Sequence, residues 1–335
     1  MAEDWDRRGS TRAAATTMVR TAGVVVVLAA ALGVLYLSFR GTSGHGAPGH
    51  AAAGSSSGWS STGGGPFASA VPAATAAGPA APHTTNPPKA AAHASPFGPA
   101  VQSYLSGRSG TVRVAVYDLA TGQEWSLGGG AAQDEASVVK VDVLETLLAQ
   151  RPAGLTTYDQ GLAQRMIEES DNDAATTLWN LVGGSNGIGA YDAQAGLTQT
   201  SPSTCVQCPS FPWPGWGLTT TTPEDQVTLL RRLVQPSGPL SVAARQYALS
   251  LMESVTPDQR WGVSGGVPAG VTVALKNGWL PLDAGNSDWQ INSVGWVSGA
   301  GRDYVLAMLS TGDPNEQYGI DTLNALGSMV WQSLG

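Results

Sequence analysis

Histidine is missing from this 335-residue chain after position 93, and lysine is nearly so: beyond residue 98 only Lys140 and Lys276 stand against nine arginines. The first absence excludes a Ser-His-Asp triad and a histidine-ligated zinc site from that part of the chain, so neither a metal nor a cofactor is expected. The second makes the two lysines conspicuous. Arginine serves wherever a surface cation is wanted. A lysine kept in its place suggests a task arginine cannot do, which is to lose its proton. Charge is sparse too, at 13% of residues. From residue 99 on, 22 acids meet 11 bases, a net of −11. Phosphate binding needs a basic face, so nucleic acid is excluded as a partner.

Charge is absent altogether from Thr21 to Phe39. As a helix this run is about 28 Å long, close to the hydrocarbon core of a bilayer. Arg7, Arg8, Arg12 and Arg20 precede it and Arg40 follows. That asymmetry predicts a cytoplasmic segment over 1–20, a single membrane-spanning anchor over 21–39, and an extracytoplasmic remainder. A cleaved signal peptide is the competing reading, although no small-residue cleavage site follows closely. Residues 40–96 are Gly, Ala, Ser, Pro and Thr with few charges and predict a disordered linker. The folded region is expected over 97–335.

Within that region, alternating β-branched residues predict strands over Thr111–Tyr117 and Gln123–Leu127, joined as a hairpin. Helical patterns follow over Ser137–Gln150, Asp171–Leu181, Pro223–Val234 and Ser241–Ser254. Pro223 is suited to a first helical turn. Strand patterns return at Val271–Lys276, Gln290–Val297 and Asp303–Leu309, and a helix closes the chain over Glu316–Ser333. Two strands at the start and three at the end predict an α/β fold with one five-stranded, mostly antiparallel sheet. The middle helices form a second lobe, and the cleft between the lobes is the default position for a site.

Three short motifs carry chemistry. Ser137-x-x-Lys140 opens a helix, and residues three apart share a helix face. A serine hydroxyl needs a base beside it, and a lysine becomes one when burial or a second cation lowers its pKa. Ser170-Asp171-Asn172 comes next, and Lys276-Asn277-Gly278-Trp279 lies on a strand pattern. Each motif has an ordinary structural reading as a helix cap or a strand-end turn. Together and in this order they resemble the signature of the serine β-lactamases and penicillin-binding proteins. Thr220-Thr221-Thr222-Pro223-Glu224-Asp225 is similar to a further segment of the class A enzymes. The resemblance covers 97–335.

The resemblance implies an acyl-enzyme on Ser137, with Lys140 as its base and Ser170 passing the proton to the leaving nitrogen. It implies that Asn172 and Lys276 bind substrate and that the backbone N–H groups of Ser137 and Trp279 form an oxyanion hole beside Gly278. Asn277 stands where the family has Thr or Ser and is expected to offer its amide to a substrate carboxylate, with Arg260 as a second partner. The implied substrates are β-lactams or peptidoglycan stem peptides, handled by a membrane-anchored monomer. A D-alanyl-D-alanine carboxypeptidase and an inert binding protein of the same fold are the alternatives. Cys205 and Cys208 are expected to pair as a clip outside the cell, with a redox Cys-x-x-Cys as the other reading. Two features depart from the family. Ser170 follows Ser137 closely, and the loop Gly196–Leu218 lacks an acid. Slow deacylation is expected, with Asp192 or Glu169 as the bases that would contradict it.

Overall fold

The computed structural model describes residues 93–208, 214–283 and 285–335. The expected anchor at 21–39, its flank at 1–20 and nearly all of the linker lie outside the described residues. Among the described residues no helix is long and apolar enough to cross a membrane.

After helix α1 (Pro99–Ser106) come strands β1 (Thr111–Asp118) and β2 (Gln123–Leu127). Near the end come β5 (Thr272–Pro281), β6 (Trp289–Gly299) and β7 (Arg302–Asp313). They form one five-stranded sheet in the order β2-β1-β7-β6-β5, antiparallel throughout. The later strands outrun their sequence patterns. β5 continues past Lys276 to Pro281 because Asn277, Gly278 and Trp279 stay paired with Ser293, Asn292 and Ile291. A turn-like Asn-Gly therefore lies inside a strand, and the third motif sits on the sheet's outer edge.

The faces of the sheet follow from the two-residue period. Ile291 packs against Gly319 of α8 (Glu316–Ser333), where a side chain would collide with it. Asn292 points the other way, toward the chain entering the first motif. Its face is covered by the helical lobe. Here α6 (Pro223–Val234) lies on β1 and β7 with Val227, Leu230 and Leu233 buried. The lobe is completed by α2 (Lys140–Gln150), α3 (Thr157–Glu168), α4 (Asn172–Leu181), α5 (Gly184–Ala195) and α7 (Val242–Glu253). α2 is buried from Lys140 through Leu148, as befits the central helix of a lobe.

Three expectations are adjusted. The helix expected from Ser137 begins as a 3₁₀ turn over Ala136–Val139 and becomes α-helical at Lys140. Helix α3 has no counterpart among the expected helices. Its start carries a recognisable cap, in which the Thr156 hydroxyl accepts from the Asp159 N–H, but its largely polar sequence hides the apolar face. The third difference is at the start of the domain. His93, inside the expected linker, is already tied to the hairpin: its N–H donates to Gln123 Oε1 at 2.6 Å and its ring lies 2.9 Å from Asp118. That contact is on the far side of the sheet from β5.

Candidate active site

The first motif is built on a strained turn. A two-stranded ribbon of β3 (Gln133–Asp134) and β4 (Thr220–Thr221) delivers the chain to it. Ala136 then adopts φ +50°, a left-handed conformation that costs a non-glycine residue about 1–2 kcal/mol. Asn292 holds the approach, donating from Nδ2 to the carbonyls of Asp134 and Glu135 at 2.9 and 3.0 Å. Residues three apart are eclipsed on a 3₁₀ turn, so Ser137 and Lys140 share one side. Neither the turn nor α2 receives a side-chain cap, so Ser137 is not serving as an N-cap.

Lys140 is fully buried and spends its three donors on the second motif. Nζ donates to Ser170 O at 2.6 Å, Ser170 Oγ at 3.0 Å and Asn172 Oδ1 at 2.7 Å. Lys276, also buried, reaches the same hydroxyl from the sheet side at 3.1 Å and donates to Asn277 O at 2.9 Å. Ser170 Oγ thus lies between two ammonium nitrogens. The backbone pays for this with a second left-handed residue, Ser170 at φ +59°. Asp171 performs the capping expected of this motif, accepting from Ala174 N–H at 2.8 Å. Capping and chemistry are therefore divided among neighbouring residues.

Burial and the charge of Lys276 bring the Lys140 pKa down to about 6. Burial alone brings Lys276 to about 7. With a pKa this low, Lys140 gives up one of its three ammonium hydrogens near neutral pH, and the lone pair it gains can accept a proton from a serine hydroxyl.

On β5, the residues alternate as the strand period requires. Lys276 and Gly278 face the Ser137 turn. A side chain on Gly278 would lie 2.7 Å from Ser137 N and 2.9 Å from Val138 N, so glycine is needed for the strand to approach the turn. Gly278→Ala is expected to push the turn off the strand and slow acylation by about 10²-fold with little loss of secondary structure. Stopped-flow acylation alongside circular dichroism checks this, and an unchanged rate refutes it.

Asn277 and Trp279 face the opposite side. Asn277 donates both amide hydrogens to backbone carbonyls, those of Gln259 at 2.7 Å and Trp261 at 3.1 Å. The expected amide contact to a substrate carboxylate is therefore not offered here, because the residue after Lys276 must point away from it. Arg260 is likewise occupied, donating to Glu253 O at 2.8 Å and Val273 O at 3.0 Å. The Trp279 ring packs beside Trp261, centroids 6.2 Å apart. Its backbone remains on the sheet edge.

A sequence profile described as the β-lactamase enzyme family matches residues 145–334, more than half of the chain. The chain belongs to this family. The matched segment begins after Ser137 and Lys140, so it includes the second and third motifs but not the first. Solved structures with the same fold include the TLA-1 extended-spectrum β-lactamase, at 17% identity and TM-score 0.62 over 70% of this chain and 96% of that one. PBP-A matches at 22% and 0.58 over 70% and 93%, and a class A β-lactamase from Mycobacterium abscessus at 22% and 0.57 over 70% and 97%. Proteins of Mycobacterium tuberculosis and Mycobacterium bovis named as the lipoprotein LppW are 29% identical over 209 residues. The chain spans 63% of their length, with 60% of its own.

Two further features of this β-lactamase-family site take their arrangement from the tertiary structure. The first is the loop Gly196–Leu218. Cys205 and Cys208 are paired in it, and Gly215 N–H donates to Cys205 O at 2.8 Å. Next to this clip, Trp216 turns its ring toward Lys140 Nζ, 5.0 Å from the centroid. The second is a set of buried carboxyls beneath the turn. Glu135, Asp142, Glu145 and Asp192 are all buried. Burial raises every one of their pKa values, Asp142 to about 7 and Asp192 to about 8. Both oxygens of Asp192 lie buried without a hydrogen-bond partner among the described residues. Asp192 is thus placed in the interior of the lobe, while Glu169 is exposed.

Proposed function

We propose that this chain is a membrane-anchored, extracytoplasmic serine hydrolase that forms an acyl-enzyme on Ser137 with β-lactams or peptidoglycan stem peptides. The observation that carries the reading is the meeting of two buried, depressed-pKa lysines at Ser170 Oγ. In this reading Lys140 takes the Ser137 proton as Oγ attacks the carbonyl carbon. Ser170 then relays a proton from Lys140 to the nitrogen that leaves as the C–N bond breaks. The edge of β5, unpaired among the described residues, offers backbone hydrogen bonds to an extended substrate, and the N–H groups of Ser137 and Trp279 serve the oxyanion. Asn172 orients Lys140, and the positive charge that Lys276 retains below its pKa attracts a substrate carboxylate. With no acid in Gly196–Leu218, hydrolysis of the acyl-enzyme is slow. The D-alanyl-D-alanine carboxypeptidase reading differs only in the preferred acyl donor.

Anchoring rests on the charge-free run 21–39. The curated relatives carry a lipoprotein name, but this chain has no cysteine before Cys205. A lipid thioether therefore has no acceptor in the preceding segment, and the apolar run takes the anchoring role. The run 40–96 is read as the linker between that anchor and a monomeric catalytic domain.

Intact mass after incubation with penicillin G tests the reading. A stoichiometric increase by the mass of the penicillin is expected for the wild type and not for Ser137→Ala. An unshifted wild type would assign the chain to the inert binding proteins of this fold.

A further inference from the structure

We propose that Trp216 is a positioning residue for Lys140: its ring closes the remaining side of the lysine against bulk water and shields an ester on Ser137 from hydrolysis. The part about the ester rests on the function proposed above; the part about the lysine does not.

The geometry carries both. The Lys140 ammonium has oxygen ligands from Ser170 and Asn172 on one side and the Trp216 ring on another. The ring is itself fixed. Trp216 is 3% exposed, and its Nε1–H donates to Thr176 Oγ1 on α4 at 3.1 Å. The turn that carries it, Gly215–Leu218, packs against the Ser137 turn. The disulfide backs this turn so closely that a side chain on Gly215 would lie 2.5 Å from Cys208 Sγ. An indole held between a clip, a helix and the catalytic turn has little room to swing aside.

Two opposing effects of an aromatic ring on a lysine decide what it does there. The ring's face attracts the ammonium and favours the protonated form, whereas the water it displaces would have stabilised that form far more. Burial is the largest cause of the Lys140 pKa of about 6, and the Trp216 ring is one of the groups that bury it; exclusion of water is the effect we assign to it. The same exclusion acts on the acyl ester, since the loop that carries Trp216 contains no carboxylate to hold a hydrolytic water. An acceptor delivered with its own binding contacts, such as a peptide amine, is not held back in this way. The site thus favours acyl transfer or a long-lived acyl-enzyme over hydrolysis.

The test uses two measurements on the full chain and on Trp216→Ala and Trp216→Phe. The first is NMR titration of the lysine side chains, which number only three. In Trp216→Ala the Lys140 midpoint is expected to rise by about one pH unit, a tenfold change in proton affinity. Trp216→Phe keeps the aromatic face and should stay near wild type. The second is the decay of the penicillin acyl-enzyme at about pH 8, where Lys140 is neutral in all three proteins; Trp216→Ala should shorten its lifetime about tenfold. If Trp216→Ala does not fold, Trp216→Leu replaces it in both measurements. An unchanged Lys140 midpoint overturns the proposal, as does a normal acyl-enzyme lifetime beside a raised midpoint. Failure of the wild type to acylate at all counts against the proposed function instead, and the titration still decides the role of Trp216 at the lysine.

Discussion

Replacing Lys140 by arginine is expected to lower the rate of acylation by penicillin about 10²–10⁴-fold, the usual contribution of a general base. Arginine keeps its proton at any accessible pH, so in the proposed mechanism the Ser137 proton would have nowhere to go. The environment of the native lysine makes the contrast sharp. Burial and the neighbouring Lys276 hold its pKa at about 6, against about 10.4 for a free lysine. Acylation by the wild type should accordingly be slow below pH 6 and rise through that value as Lys140 loses its proton. Retention of positive charge on Lys276, whose pKa is about 7, favours binding of an anionic substrate only below that value. The profile of acylation efficiency against pH is therefore expected to be a narrow bell with its maximum between the two. Rapid-mixing kinetics across pH 5–9 would show this. A Lys140→Arg protein that folds and labels at the wild-type rate would remove the lysine from the mechanism.

The domain should melt at a higher temperature at pH 5 than at pH 7, by about 5–10 °C, equivalent to a few kcal/mol for a domain of this size. The cause is the buried carboxyls. In the unfolded chain they ionise near pH 4. In the native state burial keeps Glu135, Asp142, Glu145 and Asp192 protonated to higher pH, Asp142 to about 7 and Asp192 to about 8. As pH rises from 4 toward 7, the unfolded chain releases protons that the native state keeps, so stability falls. The two lysines act in the opposite sense. Their native pKa values lie below the unfolded value, so they add stability as pH rises, but only from about 6 upward. The net loss is therefore steepest between about pH 4.5 and 6.

The groups packed around the cluster determine which variant tests it. Tyr191 donates its hydroxyl to Glu145 Oε2 at 2.6 Å. Asp225 is occupied by Gln199 N–H at 2.7 Å and the Thr200 hydroxyl at 2.9 Å, and Gln226 is buried beside it. Arg232 contributes a more distant positive charge to Glu145 and Tyr191. Asp142, wholly buried on the central helix α2, is the carboxyl whose permanent neutralisation is simplest. Asp142→Asn should flatten the fall in melting temperature while leaving acylation in place. Calorimetry of both proteins from pH 4.5 to 8 checks this, and a wild-type melting temperature that is flat or rises from pH 5 to 7 would refute it.

Where sequence and structure part, the reason lies in what each level can encode. Helix α5 shows this at its start, although the helical pattern around Tyr191 and Asp192 is itself visible in the sequence. Its Gly184-Ser185-Asn186-Gly187-Ile188-Gly189 start is poor helix material, yet its neighbours force the conformation. Gly187 passes so close to the Val182 carbonyl that no side chain would fit, and Ile188, Tyr191 and Asp192 are buried. In the site, Asn277 makes the same point. Its chemistry was visible as a departure from the family motif, but its direction depends on the strand continuing through it, which the pairing with Ser293 secures.

Residue identity and spacing alone carry the inventory and the order of this chemistry: two lysines in a region almost without histidine, three motifs in order, two cysteines three apart, and a loop without an acid. Local periodicity was enough to place them on helix starts and strands. What the groups do to one another depends on the fold. Lys140 and Lys276 are 136 positions apart, and they meet at Ser170 Oγ only because the edge of the sheet is pressed against a turn that Gly278 leaves room for. The depressed lysine pKa values, the raised carboxyl pKa values and the indole over Lys140 all follow from tertiary packing. Desolvation depends on which atoms surround a charge, and a linear sequence does not specify them.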